Sequence, residues 1–247
     1  MTGWSNGVYG AALPQLYLEV AHRDLSVKLG HFFTLLGYQV VPATGNFFYS
    51  QPFTFNFGEA FTHTGALATY AASERVEVYA GYTLGWDTGF AQLNGGSNFL
   101  GGAKAQLSDQ LSLTYITTWG NLGWIGSGYS HSLVADWQIN ENWEYVLQTD
   151  LDSTTYTGYG GTGYNAIGIN QYLYHTLNAQ FKAGGRFEWW RANSVSHFAF
   201  TAGLNWLPIP NVRLRPELRY QWIAGSSNPI GIPNNTWILG IDGIVSI

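Results

Sequence analysis

The sequence predicts an all-β chain folded as an antiparallel transmembrane β-barrel. Three observations carry this: a recurrent two-residue alternation, a composition poor in charge and rich in aromatic rings, and the absence of any apolar run long enough for a membrane helix. The alternation is plainest in VRLRPELRYQW. Val212, Leu214, Leu218, Tyr220 and Trp222 share one face, and Arg213, Arg215, Glu217, Arg219 and Gln221 share the other. Charged residues are only 10% of the chain, against roughly 25% in an ordinary soluble domain. Aromatics reach 17%, with 11 Trp and 16 Tyr, residues whose amphipathic rings favour a membrane interface. No window approaches the roughly 20 apolar residues of a membrane helix, so a bilayer would be crossed by strands.

Alternation bounded by turn residues gives about thirteen strands in order. Gln15 to Ala21 and Leu25 to Phe32 flank the turn His22-Arg23-Asp24, and a long segment follows. Thr62 to Ala72 and Val76 to Gly85 form a second pair around Ser73-Glu74, and Asn98 to Gln106 and Leu111 to Trp119 a third around Ser108-Asp109. Ser130 to Gln138 and Trp143 to Asp152 meet at Asn140-Glu141-Asn142; Ala166 to Tyr174 and Ala179 to Trp190 meet at Leu177-Asn178. His197 to Trp206, Val212 to Trp222 and Thr236 to Val245 complete the series, the first two joined through Pro208 to Asn211. Longer loops rich in Gly, Asn and Ser, such as Trp86 to Ser97 and Gly120 to Tyr129, alternate with these short turns, as outer loops alternate with periplasmic turns in outer-membrane barrels.

No composition break divides the chain, so residues 1–247 read as a single barrel domain. With short turns on the periplasmic side, the first and last strands both run inward. An odd count conflicts with the even number on which bacterial single-chain barrels close, so the chain reads as the C-terminal part of a larger even-stranded barrel with amino-terminal strands missing. Met1 to Pro14 then reads as the remains of an outer loop, and no signal-peptide pattern opens the chain.

The outward set on the best strands is Leu111, Leu113, Tyr115 and Trp119; Leu133, Ala135 and Trp137; Trp143, Tyr145, Leu147 and Leu151; Phe181, Ala183, Phe187 and Trp189; Phe198, Phe200, Leu204 and Trp206. Trp and Tyr close these runs, where an aromatic girdle sits. Thr62 to Ala72 and Ala166 to Tyr174 alternate poorly; a bulge would account for either.

One segment carries a resemblance. His31-Phe32-Phe33 leads into Gly37-Tyr38-Gln39-Val40-Val41-Pro42-Ala43, Asn46-Phe47-Phe48-Tyr49-Ser50 and Gly58-Glu59-Ala60-Phe61-Thr62-His63-Thr64-Gly65. This run resembles the OmpL-like family of β-barrel porins, whose typical segment has Glu and Pro where this chain has Gln39 and Ala60. The resemblance implies an outer-membrane barrel with channel activity in a diderm (Gram-negative type) bacterium. Passive diffusion of small hydrophilic solutes or ions would be its form of transport.

Candidate pore-lining bases are Lys182, Arg186, Arg213, Arg215 and Arg219, and candidate pore-lining acids are Asp136, Glu144, Asp150, Glu188 and Glu217. Six of the ten basic residues, these five with Arg191, lie in one stretch, whereas Asp136, Glu141, Glu144, Asp150 and Asp152 cluster earlier. On a lumen wall they would set a transverse field that selects ions. Several of the arginines show no obvious carboxylate neighbour in sequence; pairing across strands is the plainer alternative. The loop from Thr34 to Phe61 exceeds a simple connection and is a candidate constriction, burying Phe47, Phe48, Tyr49, Phe53, Phe55 and Phe57 beside Glu59. A loop packed over the rim, or against a neighbouring subunit, is the alternative.

No catalytic or metal site is expected. The six His are scattered, at His22, His31, His63, His131, His175 and His197, and read as interfacial or loop residues; Ser130-His131-Ser132 puts neighbours on opposite faces of a strand. Gly95-Gly96 and Gly160-Gly161 are turn glycines without the setting of a phosphate loop, and no cofactor is implied. A net charge of -5 gives no reason to expect nucleic acid, and absent cysteine excludes disulfides. Partners are outer-membrane lipid and small solutes, with a homo-oligomer, a trimer by analogy, behind them. A carbohydrate-binding or adhesive surface built on Trp-rich outer loops is the second functional class, and an outer-membrane hydrolase the third.

Overall fold

Two-residue periodicity, with lipid-compatible side chains on one face and polar or small ones on the other, folds the chain into a thirteen-stranded antiparallel meander. The computed structural model describes residues 13–156, 163–225, 227–228 and 230–246. The strands are β1 (Leu16–His22), β2 (Leu25–Phe33), β3 (Thr62–Ser73), β4 (Val76–Trp86), β5 (Ser97–Gln106), β6 (Leu111–Asn121) and β7 (Ser127–Gln138). They continue as β8 (Trp143–Thr154), β9 (Tyr164–Thr176), β10 (Phe181–Ala192), β11 (Val195–Ile209), β12 (Val212–Ala224) and β13 (Thr236–Val245). Each pairs with its sequence neighbours, and among the described residues β1 and β13 remain the two edges. All thirteen expected strands form. Most extend a few residues beyond the alternation because paired backbone continues into the loops. The expectation for Met1 to Pro14 falls largely outside the described residues, as does that for Gly160-Gly161.

Loop lengths sort by side with one exception. On one side the connections are the short turns, down to two residues at Arg23-Asp24, Glu74-Arg75 and Pro210-Asn211. On the other lie 34–61, 87–96, 122–126, 155–163 and 225–235, but β10 and β11 are joined there by Asn193-Ser194 alone. Both of those residues have positive φ, 44° and 72°, as a tight hairpin whose twist matches its strands requires. Loop 120–129 is also shorter than expected, because β6 and β7 extend into it.

The outer face is the expected one. Tyr115, Trp119, Leu133, Trp137, Leu151, Phe200, Trp206 and Leu218 are exposed, and on β12 their inward neighbours Arg215, Glu217, Arg219 and Gln221 are buried. The core therefore lies inside the sheet, between its inner face and the 34–61 loop. There Phe48 packs with Val134, Val146, Tyr172 and Tyr174, and Phe53 packs with Trp190 and Ala199.

The two ambiguous strands have different causes. In β3 the register with β4 shifts between His63 and Gly65, so a bulge breaks the alternation. In β9 the register is unbroken. Its inward residues Ala166, Tyr172 and Tyr174 are apolar because they pack on the loop rather than on water. The histidine expectation needs correction: His31, His63 and His197 are buried within the wall, His63 against the Thr34 hydroxyl at 3.0 Å and His31 against Thr64 at 2.8 Å.

Leu133 sits mid-strand on the outer face of β7. Leu133→Lys places an ammonium against lipid and should lower the folding stability of the protein in phospholipid vesicles by about 2–4 kcal/mol, read by equilibrium denaturation.

Candidate functional site

The candidate site is the inner face of β7 to β13 together with the 34–61 loop that folds against it. The loop leaves β2 through a neck closed by the Thr34 N–H donating to the Phe61 carbonyl at 3.0 Å. The Asp87 carboxylate secures the return end, accepting from the Phe61 and Thr62 N–H groups at 3.0 and 2.8 Å. Asn46 folds the loop on itself: its amide donates to the Val40 carbonyl at 2.7 Å and accepts from the Val40 N–H at 2.9 Å. Pro52 then leads into a one-turn helix, α1 (Phe53–Phe57), without a side-chain cap.

Wall charges hold this backbone. Arg186 and Glu188 are fully buried, with Arg186 Nε 2.7 Å from Glu188 Oε1, and Arg219 reaches the same carboxylate from β12, Nη2 lying 3.2 Å from Oε2. Arg186 also donates to the Ser50 carbonyl at 2.7 Å and to its hydroxyl at 2.9 Å, while Glu188 accepts from the Phe53 N–H at 2.9 Å. Glu217 accepts from the Ser50 N–H at 3.1 Å. Arg215, ion-paired with Asp242, donates to the carbonyls of Ala43 and Asn46 at 2.8 and 2.7 Å, and Arg213 donates to the Thr44 carbonyl at 2.7 Å. A loop whose carbonyls and amides leave water must find such partners, since each unpaired group would cost about 1–3 kcal/mol.

Aromatic rings complete the seat. Phe48 lies under the Arg186 guanidinium at 4.9 Å and Phe53 under that of Arg219 at 4.8 Å. Phe47 meets Tyr174 at 4.8 Å and Tyr38 meets Tyr172 at 4.9 Å. The wall makes room by omission: a Cβ on Gly184 would lie 2.6 Å from the Phe47 ring, and one on Gly168 2.8 Å from Thr54 Oγ1.

An acidic corner lies opposite. Gln148 Nε2 donates to Glu59 Oε1 at 2.6 Å and to Asp150 Oδ2 at 3.0 Å, and Gln148 Oε1 accepts from the Tyr38 N–H at 3.2 Å. Burial first, then the Asp150 charge, pushes the Glu59 carboxyl well above the usual carboxylate range, against the pull of the Gln148 amide. Lower on the wall, Lys182 pairs with Glu144 at 2.8 Å, and Asp136 is half-buried on β7.

The structure brings most of the sequence-selected residues together and corrects four points. Arg186, Arg215 and Arg219 all have carboxylate partners, because the pairs join strands or skip one residue along a face. Arg191 is exposed on the outer face of β10, one residue out of phase with Arg186, and Glu141 is exposed in a turn. Phe48, Phe53 and Phe55 are buried and Phe47 and Phe57 half-buried, but Tyr49 is 52% exposed, lying beside Gly240 of the edge strand β13. Ser130 and Ser132 are buried inward while His131 turns outward to the Tyr115 hydroxyl at 2.7 Å. Sequence reading did not single out Gln148, Asn170 or Ser50 as site residues, since their importance comes from the contacts between loop and wall.

Comparison with known proteins bears on the family and the fold. A family described as "Putative beta-barrel porin-2, OmpL-like" matches residues 1–246. No curated protein matches in sequence. Among solved structures, OccK11 (OpdR) of Pseudomonas aeruginosa is similar over 87% of this chain and 65% of its own, with TM-score 0.59 and 15% identity. OmpT of Vibrio cholerae, in a trimer form, is similar over 97% of this chain and 80% of its own, with TM-score 0.65 and 12% identity. An anion-selective porin from Comamonas acidovorans covers 92% of this chain and 75% of its own, with TM-score 0.63 and 10% identity. The chain thus spans 65% of the length of OccK11.

Two outcomes are expected. Glu188→Gln leaves two buried guanidinium groups without their shared charge and should cost about 3–5 kcal/mol, with faster hydrogen exchange at the Ser50 and Phe53 amides. Glu59 binds its proton more tightly in the folded protein than in the unfolded chain, so its contribution to stability is lost as pH rises from the ordinary glutamate range, about 4.3, through its raised folded value. Denaturation midpoints of Glu59→Gln should fall less steeply with pH than those of the parent.

Proposed function

We propose that this chain, which belongs to the OmpL-like β-barrel porin-2 family, forms the wall and the constriction of a water-filled outer-membrane channel for passive diffusion of small hydrophilic solutes or ions. The observation that carries this reading is the 34–61 loop, seated on the inner face by buried ion pairs while the outer face is apolar. A polar lining faced by a fixed loop restricts passage, and a porin needs no catalytic group to do so.

In this reading Arg186, Arg213, Arg215 and Arg219 serve first as loop anchors and, with Lys182, second as the basic wall of the passage. Asp136, Glu144, Asp150, Glu188 and Glu217 supply the opposing charge. The ions are not redundant with the aromatics: they hold loop backbone, while Phe47, Phe48, Phe53 and Phe55 fill volume. We read residues 1–247 as one barrel domain whose edges β1 and β13 are closed by further strands. The two edges run in the same direction, so antiparallel closure takes an odd number of additional strands. A homo-oligomer is the assembled form, supported by the trimer form of OmpT.

Removing Asn46 to Asn56 tests the constriction. Single-channel conductance of the refolded protein in planar bilayers should rise severalfold over the parent; equal conductance from a correctly folded variant would remove the loop from the permeation path.

A further inference from the structure

At the long-loop end of the barrel, the ends of β4, β8 and β9 and the 122–126 connection surround a cavity of about 180 Å3 above the returning limb of the constriction loop. At about 30 Å3 per water it has room for roughly six waters or one small solute. Its walls are aromatic: Phe57 and Phe61 from the loop, Trp86 from β4, Trp124 and Tyr156 from outer connections, and Tyr164 from β9. Trp124 and Tyr156 meet edge to face at 5.6 Å.

Its charged groups are carboxylates, beside the neutral polar side chains of Asn56 and Thr154. Glu59, Asp87 and Asp152 line it, and no lysine or arginine does among the described residues. Asp87 is engaged with backbone amides, but Glu59 Oε2 has no hydrogen-bond partner, nor has either oxygen of Asp152, which is 2% exposed. Ser130 stands directly across from Asp152 on β7 and offers it a hydroxyl, so that carboxylate has a neutral neighbour and no cationic one among the described residues. Gly58 keeps this corner open, since a Cβ there would lie 2.7 Å from Asp152 Oδ2 and 2.5 Å from the Trp190 ring.

We propose that this cavity is a binding site for a small organic cation, a quaternary or primary ammonium compound, at the mouth of the channel. The inference rests on the channel reading and names the solute class that the mouth selects. Rings attract a cation through their negative faces, and the unpartnered carboxylates supply the countercharge that a buried acid lacks when the site is empty. A neutral sugar would also stack on these rings. Its hydroxyls bring no positive charge to replace the proton this acidic corner holds, so the charge of the site favours the cation. Burial and the nearby Asp150 hold a proton on Glu59, and an arriving cation replaces that proton as neutralising charge. Glu59 is faced by Gln148, Asp150 and Asp152 from β8, by Tyr172 from β9 and by Gly37 within the loop, so deprotonation makes the corner more negative and cation binding should tighten as pH rises.

The test uses choline, its uncharged isostere 3,3-dimethylbutan-1-ol, and glucose, each titrated against the full protein folded in detergent and read by tryptophan fluorescence and calorimetry. Choline alone should bind saturably. Asp152→Asn should weaken it about tenfold or more, and Trp124→Ala, at an exposed connection that leaves the barrel intact, should weaken it severalfold. Absence of saturable choline binding, equal binding of the isostere, saturable binding of glucose, or parental affinity in both variants would each overturn the proposal. Conductance in planar bilayers is scored separately: a protein that conducts without binding choline overturns the site and keeps the channel, and one that binds choline without conducting does the reverse.

Discussion

The buried triad of Arg186, Glu188 and Arg219 is the constraint on which the interior depends. Two guanidinium groups and one carboxylate taken out of water carry a desolvation penalty of several kcal/mol per ion, recovered only where every remaining donor finds an acceptor. Here the loop meets part of that need, Ser50 offering its carbonyl and hydroxyl and Phe53 its N–H, while Thr201 and Gln221 of the wall accept from the other donors. The ion cluster and the loop therefore support one another. That support explains how a 28-residue connection between β2 and β3 takes one position on the inner wall.

This mutual support orders the rest of the barrel interior. Aromatic residues of the loop need apolar ground, and β9 supplies it with Tyr172 and Tyr174 facing inward, where a water-lined wall would carry polar residues. Polar satisfaction is then concentrated at a few multivalent groups. Gln148 alone joins the loop backbone at Tyr38 to two carboxylates, Glu59 and Asp150. On the outside no such coordination is needed, and simple hydrophobicity with a Trp and Tyr border suffices.

That difference explains what was legible in the sequence. All thirteen strands and the outward face could be read because lipid imposes one rule at every second position. The inner face obeys local partners instead. β9 hides its facing because its inward tyrosines answer to the loop, and β3 hides its own behind a bulge near His63. Arg186 and Glu188, two residues apart on one face, were a readable pair; Arg215 with Asp242 was not, since only the register of β12 with β13 brings them opposite. The acidic aromatic cavity was out of reach because Glu59, Trp86, Trp124 and Asp152 come from four separate parts of the chain.

The glycines of the inner wall carry one more consequence. Gly168, Gly184, Gly203 and Gly240 each face a loop side chain closely enough that a methyl group would crowd it. The position of the loop is thus recorded as absences in the wall, like the impression left in a mould. Tolerance to change is lopsided as a result: trimming a ring of the loop leaves a void that neighbours can partly fill, whereas thickening the wall at a single glycine displaces the segment seated there. Sequence drift in such a lumen acts as a ratchet, free to erode the insert and barred from filling the mould.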